Sequence, residues 1–349
     1  MTPATDGTNA GLAPGIDRPI RTVDYHTAGE PFRIVTGGVP ELEGQRVLQR
    51  RRWALEHLDD VRRLLVNEPR GHADMYGAFV TPPDDDWADL GVVFFHNEGY
   101  STACGHGTIA LVTWAVDTGR IDVTPGSRTV AVTVDVPSGR LACEARLDDD
   151  GRVEAVRFRN VPSFVIARDV TVRSSRGPVT LDVAFGGAFY GTVEASALDL
   201  TISAADLPQL IALQRELRPA LERSLTVVHP AERDLAGIYG VIFWERIGPD
   251  EQRNVTVFAD GEIDRSPCGS GTSARLAVLH ARGELAVGER LLHRSIVDST
   301  FDAWIVDEGP TVGGKPSVIT EVEGSAYRTG EAMFSLDARD PLGTGFLLR

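Results

Sequence analysis

Two cysteines of this chain begin matching seven-residue segments, and this match is the strongest chemical signal in the sequence. Cys104 begins Cys-Gly-His-Gly-Thr-Ile-Ala, and Cys268 begins Cys-Gly-Ser-Gly-Thr-Ser-Ala. A glycine follows each cysteine fifteen residues later, at Gly119 and Gly283, where the end of a helix favours glycine. We therefore predict an internal repeat of two copies, in which each copy has a helix with a cysteine at its N-terminus.

A thiol in that position is suited to acid–base chemistry. It faces unpaired backbone N–H groups and the positive end of the helix dipole, which both favour the thiolate. Such positions can lower a cysteine pKa from about 8.5 to between roughly 3.5 and 7.5. The first N–H groups of each helix also form an anion-binding nest. These are the N–H groups of Gly105, His106, Gly269 and Ser270.

A carboxylate held between the two nests would present its α-carbon to both sulfurs. Moving a proton from one face of a carbon to the other requires a base on one side and an acid opposite, and a thiolate with a thiol can serve in both directions. His106 and Asp264, each close to a cysteine in sequence, are candidates to tune or relay the proton. This chemistry requires no cofactor and no metal.

Other motifs give only weak support to competing functions. Each repeat also fits Gly-x-Gly-x-x-Ala, a degenerate dinucleotide fingerprint, but polar loops separate both copies from the preceding apolar runs. The cysteines and histidines lack zinc-ligand spacing. A redox function for a dithiol is an alternative if Cys104 and Cys268 meet, although no Cys-x-x-Cys is present. Cys143 lies in a strand-like run and is interpreted as a buried structural residue.

Composition narrows the class of protein further. The net charge of −15 argues against nucleic-acid and anionic-membrane partners, which would repel such a surface. Three cysteines in 349 residues do not form a disulfide framework and suit a reducing compartment. The sequence predicts no secretory signal and no transmembrane run, so we expect a cytoplasmic protein.

The order of predicted elements is mixed α/β. We expect a first strand over Arg21–Tyr25 and one charged helix over Trp53–Val66, in which leucines and valine recur at helical spacing. From about Thr129 the chain alternates strands and turns, with a further helix over Ala204–Arg223. The end of the chain, after Ser317, is again strand-like.

The chain resembles the proline racemase family over most of its length from about Arg21. The segments that carry the resemblance are His26-Thr-Ala-Gly-Glu-Pro31, Glu68-Pro-Arg-Gly-His72, Asp74-Met-Tyr-Gly77, Cys104-Gly-His-Gly107 and Asp264-Arg-Ser-Pro-Cys-Gly269. The resemblance implies an α/β (α+β) fold like that of diaminopimelate epimerase. Such a fold has two pseudo-symmetric domains, each with a curved, mostly antiparallel sheet around a central helix and with the site between them. The resemblance also implies that the final strand returns to the first domain, and it implies a homodimer.

These implications give domain boundaries and roles for residues. We expect residues 1–17 to be a disordered lead, residues 18–162 plus 326–349 to form the first domain, and residues 163–325 to form the second. By the resemblance, Cys104 and Cys268 are the acid–base thiols, with His106 and Asp264 as their supporting partners. The backbones of Gly105, His106, Gly269 and Ser270 hold the substrate carboxylate. Tyr76 and Phe258 match aromatic positions that wall the ring of proline or hydroxyproline.

The resemblance contains a conflict about the reaction. The segments Asn97-Glu-Gly-Tyr-Ser-Thr102 and Phe258-Ala-Asp260 are similar to the branch of trans-3-hydroxy-L-proline dehydratases, which usually carry threonine where this chain has Cys268. Because Cys268 would do the chemistry, we weight it above its surroundings. The leading hypothesis is a two-base racemase or epimerase of proline or hydroxyproline. The alternatives are a dehydratase that gives pyrroline-2-carboxylate and a non-catalytic binder of imino acids.

Overall fold

The computed structural model describes residues 18–348, which form 18 strands and five α-helices. The expected lead, residues 1–17, lies outside the described residues. The strands are β1 (Ile20–Thr27), β2 (Glu30–Gly37), β3 (Tyr76–Thr81), β4 (Leu90–His96), β5 (Gly99–Tyr100), β6 (Thr129–Val136), β7 (Gly139–Leu147), β8 (Val153–Arg159), β9 (Ser163–Ser174), β10 (Gly177–Phe185), β11 (Phe189–Glu194), β12 (Ile238–Arg246), β13 (Glu251–Phe258), β14 (Glu262–Asp264), β15 (Arg290–Ser295), β16 (Thr300–Val312), β17 (Lys315–Gly324) and β18 (Ala326–Phe334). The helices are α1 (Val47–His57), α2 (Asp59–Val66), α3 (Gly105–Asp117), α4 (Leu207–Ser224) and α5 (Gly269–Ala281), and a short 3-10 helix spans Ala195–Leu198.

The strands of the described chain are joined by backbone hydrogen bonds into one network. Most of its pairings are antiparallel, and the parallel ones are β2–β3, β4–β6, β11–β12 and β13–β15. The predicted mixed α/β class, with mostly antiparallel strands around central helices, is confirmed.

The strand pairings repeat along the chain. Three pairings of the first copy recur in the second. The antiparallel pair β1–β2 recurs as β10–β11, the parallel pair β2–β3 recurs as β11–β12, and the antiparallel pair β3–β4 recurs as β12–β13. The parallel pair β4–β6 recurs as β13–β15, and β6–β7–β8 recurs as β15–β16–β17. The last strand, β18, pairs with β1 as β9 pairs with β10, so the chain returns to its first strand. The pattern is consistent with the expected division into 18–162 plus 326–349 and 163–325, whose boundaries stay a prediction.

Helices α3 and α5 occupy equivalent places in the two copies. Helix α3 packs against β1, β2, β8 and β18, and α5 packs against the corresponding strands β10, β11, β17 and β9. Every residue of α3 from Gly105 to Val116 is buried, and so is every residue of α5 from Gly269 to Leu279. Because no face of either helix is left to solvent over these residues, the packing holds each helix N-terminus in a fixed place.

The glycines that end the two helices have the conformation that the repeat predicted. Gly119 and Gly283 have φ of +68° and +71°. The next residue donates its backbone N–H to the carbonyl five residues earlier, at 2.9 Å from Arg120 to Ala115 and at 2.8 Å from Glu284 to Leu279. This is the Schellman arrangement, in which glycine is favoured because a side chain would strain the left-handed backbone.

The single helix expected over Trp53–Val66 is wrong. The chain forms α1 and α2 instead, and Leu58 ends the first and precedes the second with φ −121° and ψ 16°. The side chain of Leu58 is fully buried, so the break at this residue lets both helices pack their apolar residues into the same core. Asp59 and Asp60, in the first turn of α2, favour a helix start through the helix dipole. None of the helices in residues 18–348 is long and apolar enough to span a membrane.

Candidate active site

The N-termini of α3 and α5 meet at their first residues. A methyl group on Gly105 would lie 2.6 Å from the Cα atom of Gly269, and one on Gly269 would lie 2.8 Å from the Cα atom of Gly105. Only glycine permits this approach, because the neighbour in each case is backbone. The N–H groups that start the helices have no acceptor within their own helix, so two anion-binding ends are placed side by side.

Each cysteine is the residue that precedes its helix. Cys104 is extended, and its sulfur accepts a hydrogen bond from the backbone N–H of Gly107 at 3.3 Å, as an N-cap side chain does. Cys268 has φ +64° and ψ 96°, a backbone conformation that non-glycine residues adopt at a cost. Its backbone N–H donates to Ser266 Oγ at 3.1 Å. Both predicted thiols therefore stand at the junction of the two helices.

His106 connects Cys104 to Asp264. Its Nε2 atom lies 3.3 Å from the sulfur of Cys104, and its Nδ1 atom lies 3.6 Å from Oδ2 of Asp264. The other oxygen of Asp264 accepts hydrogen bonds from the backbone N–H of Ser266 at 2.8 Å and from its hydroxyl at 2.6 Å. Asp264 is near Cys268 in sequence, yet its carboxylate faces the imidazole of the first copy.

Tyr190, which sequence reasoning missed, lies beside Cys268. Its hydroxyl is 3.9 Å from the sulfur and 2.7 Å from Oγ of Ser270. The tyrosine is fully buried on β11, within the part of the chain where we expected strands and turns. No motif marks this position, because the hydroxyl reaches the thiol through the packing of β11 against α5.

The pKa values of both thiols are raised, whereas the helix N-termini were expected to lower them. Burial raises the pKa of Cys104 well above its ordinary value, and the nearby Asp264 carboxylate adds to the effect. The same two causes, in the same order, raise the pKa of Cys268. Each cysteine is only 5% exposed, so desolvation outweighs the favourable N–H groups.

Tyr76 and Phe258, which the resemblance assigns to the wall around the substrate ring, lie together within a larger group of rings. Their ring centroids are 5.8 Å apart, and Tyr76 also packs edge-on against His106 at 4.9 Å. Sequence reasoning missed two other members of the group. Tyr239 stacks on Phe258 at 5.2 Å, and His96, whose Nδ1 atom lies 2.9 Å from Oε1 of Glu262, packs at 5.3 Å from Phe258.

A cavity of about 370 Å³ adjoins this group of rings. His96 and Tyr239 line it, together with Arg51 and Arg218, and neither Cys104 nor Cys268 does. The ring group thus separates the cavity from the thiols.

Cys143 lies apart from the site. It is buried on β7, as predicted, and all three cysteines are free thiols. Within residues 18–348, the histidine, cysteine and carboxylate side chains form no group of three that could hold a metal ion.

Comparison with known proteins identifies the family. The family model described as proline racemase matches residues 22–347. The chain is 48% identical over 339 residues to a 3-hydroxyproline 2-epimerase of Burkholderia multivorans, with 96% of this chain and 99% of that protein covered. It is 44% identical over 331 residues to a trans-3-hydroxy-L-proline dehydratase of Bacillus cereus, with 94% and 97% covered.

A solved structure agrees with these sequence matches. The hydroxyproline epimerase of Agrobacterium vitis, with bound trans-4-hydroxy-L-proline, superposes with a TM-score of 0.88 at 31% identity, over 95% of this chain and 96% of that one. This chain therefore belongs to the proline racemase family, and the resemblance seen in its motifs is confirmed. It is an enzyme of a family whose similar members carry the names of both an epimerase and a dehydratase.

Proposed function

We propose that this chain is a cofactor-independent racemase or epimerase that inverts the α-carbon of proline or a hydroxyproline, with Cys104 and Cys268 as its two acid–base groups. One observation carries the proposal. Each thiol precedes one of two helices whose first glycines are in backbone contact, so a carboxylate bound at the junction would be within reach of both sulfurs.

The proposed reaction uses only groups of the chain and the substrate. The backbone N–H groups of Gly105, His106, Gly269 and Ser270 hold the substrate carboxylate and stabilise the negative charge that develops as the α-proton leaves. One sulfur, as thiolate, takes the α-proton, and the opposite thiol returns a proton to the other face. The first sulfur ends as thiol and the second as thiolate, so the enzyme is ready for the reverse direction.

His106 and Asp264 support Cys104 in this proposal. The imidazole lies between the sulfur and the carboxylate, which sets its orientation and lets it stabilise either protonation state of the thiol. Tyr190 and Ser270 occupy the comparable place beside Cys268. Tyr76 and Phe258 enclose the ring of the substrate and exclude water, which strengthens every electrostatic contact at the reacting carbon.

The test follows the α-proton. L-proline, trans-4-hydroxy-L-proline and trans-3-hydroxy-L-proline are each incubated with the protein in deuterated water and followed by proton NMR. We expect one of them to lose its α-proton signal and to yield the inverted isomer. Cys104→Ser and Cys268→Ser should each abolish inversion, and Cys143→Ser, the matched control away from the site, should retain it. Normal inversion by Cys268→Ser would overturn the two-base proposal.

Dehydration of trans-3-hydroxy-L-proline is the second candidate. The motivating observations are the dehydratase-like flanking segments and the 44% identity to the Bacillus cereus dehydratase. Elimination requires one base for the α-proton and assistance to the departing hydroxyl. This candidate therefore predicts a pyrroline product from the 3-hydroxy compound alone, and it predicts that Cys268→Ser retains part of the activity while Cys104→Ser loses it.

A non-catalytic imino-acid binder is the remaining alternative, and ligand-induced stabilisation without any α-proton exchange would favour it. We also propose that the chain is a homodimer and that it is cytoplasmic. The homodimer is testable by light scattering of the purified chain. A cytoplasmic location is testable by fractionation of the source cells.

A further inference from the structure

Two β-hairpins, one in each copy, have their turns beside the starts of the central helices. The first joins β1 to β2, and the second joins β10 to β11. Thr27, at the end of β1, donates its hydroxyl to the backbone carbonyl of His106 at 2.8 Å. A methyl group on Gly186, in the second turn, would lie 2.2 Å from the carbonyl oxygen of Ser270. Each hairpin is therefore packed against the second residue of its own central helix.

The first hairpin also contacts the second copy. Glu30, the first residue of β2, is fully buried, and its Oε2 atom accepts a hydrogen bond from the backbone N–H of Arg265 at 2.7 Å. The backbone carbonyl of Ala28, in the turn, accepts a hydrogen bond from the hydroxyl of Ser299 at 2.7 Å. Arg265 precedes Cys268 by three residues. The first hairpin thus holds the segment that leads to the cysteine of the second copy.

The second hairpin makes the reciprocal contact. Thr102 precedes Cys104 by two residues, and its hydroxyl donates to the backbone carbonyl of Gly187 at 2.9 Å. A methyl group on Gly187 would lie 2.8 Å from the Cβ atom of Ala103, so the turn packs closely on the residue directly before Cys104. The second hairpin thus holds the segment that leads to the cysteine of the first copy.

The segments before the cysteines influence where the two sulfurs lie. They precede α3 and α5, so the packing of those helices does not hold them directly. Cys268 has φ +64°, which a non-glycine residue keeps only where its surroundings hold it. Reacting groups must stay within about 0.5 Å of the productive geometry. Contacts that fix these segments from the other copy are suited to this task.

We propose that each hairpin positions the cysteine of the other copy. Glu30 is then a positioning residue for Cys268, on which it acts through the backbone of Arg265. Thr102 is a positioning residue for Cys104, which it ties to the second hairpin. Neither positioning residue takes part in the proton transfers. The positioning itself can be tested without knowledge of the substrate, whereas its effect on catalysis rests on the proposed function.

The test labels the thiols of the native full-length protein with iodoacetamide and quantifies each cysteine-containing peptide by mass spectrometry. Cys143, buried away from the site, reports the global opening of the fold. Thr102→Val removes the hydroxyl with little change of shape, and Glu30→Leu removes the acceptor oxygen. Thr129→Val, the same substitution at an exposed position of β6, is the matched control and should label as wild type does.

We expect Thr102→Val to raise the labelling rate of Cys104, relative to that of Cys143, by about tenfold, the usual effect of losing a buried hydrogen bond. Glu30→Leu should do the same at Cys268, and each variant should change the other active-site thiol by less than about threefold. Thr102→Ser and Glu30→Gln keep a donor and an acceptor and should restore labelling close to wild type. Equal increases at all three thiols, or none at the thiol named, would overturn the proposal.

A second variant tests the first hairpin if Glu30→Leu does not fold. Ser299→Ala removes the hydroxyl that holds the carbonyl of Ala28, and it leaves Glu30 in place. It should raise the labelling of Cys268 relative to that of Cys143 by about threefold or more. Unchanged labelling of Cys268 in this variant would overturn the role of the first hairpin.

An isotope effect separates positioning from stability. If inversion uses one thiol on each face, a displaced thiol makes its own proton transfer more rate-limiting. The α-deuterium isotope effect on kcat/KM should then rise for one isomer and fall for the other, in opposite senses for Thr102→Val and Glu30→Leu. Changes in the same sense for both variants would overturn the proposal. A wild-type chain that inverts no imino acid would refute the proposed function, while the labelling would still decide what the hairpins position.

Discussion

Substitution of the glycine at which the two helices meet is the sharpest test of the site. In Gly105→Ala, the added methyl would lie 2.6 Å from the Cα atom of Gly269 and 3.1 Å from both its N and C atoms. Ordinary contact begins at 3.4 Å, so the two helix N-termini must separate by roughly 0.8 Å or more. All the contacting atoms are backbone, and no side chain can rotate to relieve the overlap.

The consequences for stability and for activity should differ in size. Overpacking costs about 1–3 kcal/mol of folding free energy, and the better helix propensity of alanine offsets up to about 1 kcal/mol of it. A shift near 1 Å between a bound carboxylate and its two thiols should instead lower the rate by about 100-fold. We therefore expect a folded variant with a Tm a few degrees below wild type and with kcat/KM reduced by about two orders of magnitude.

The assay measures inversion of whichever substrate the NMR experiment has identified, and thermal unfolding of the same variant is measured in parallel. Gly330→Ala is the matched control, because no atom lies within 4 Å of the position that its added methyl would occupy. It should match wild type in both measurements. A folded Gly105→Ala protein with wild-type kcat/KM would refute the idea that contact between the helix N-termini sets the geometry of the two thiols.

Three further predictions follow from the environment of the thiols. Because burial raises the pKa of both Cys104 and Cys268, kcat/KM for inversion should rise with pH through the neutral and weakly alkaline range, whereas a profile flat from pH 6 to 9 would contradict this. The same shifts mean that, above about pH 8.5, the unfolded chain loses its thiol protons before the folded chain does. The unfolding free energy should therefore fall in that range by about 1.4 kcal/mol per pH unit for each thiol. In Cys104→Ser, which has one such thiol fewer, the fall should be less steep. Tyr190→Phe removes the hydroxyl near Cys268 and should lower kcat by about tenfold at similar Tm, and an unchanged kcat would show that the contact has no catalytic role.

Local signals predicted where the two central helices begin and end. The repeated Cys-Gly-x-Gly-Thr segment predicts a helix start, and the glycine fifteen residues later predicts its end, because both depend on backbone conformation within a single turn. Helices α3 and α5 have those ends. The break between α1 and α2 was missed because it depends on how Leu58 packs in the core, although Asp59 and Asp60 mark a helix start.

Contacts between distant segments could not be predicted in the same way. Tyr190 and Tyr239 carry no motif-level signal for their positions, since each reaches the site through strand pairings far away in sequence. The partner of Asp264 was also not predictable, because its carboxylate faces His106 of the other copy and not the neighbouring Cys268.

The sequence by itself determined the repeat, the two cysteines, the mixed α/β class and the family, because these depend on residue identity and on short-range backbone preference. Only the tertiary structure decided which groups face each other and how strongly they are desolvated. The direction of the thiol pKa shifts shows the difference. A helix N-terminus favours a thiolate, but the packing of both copies around it leaves each cysteine 5% exposed, and desolvation then raises the pKa of the thiol.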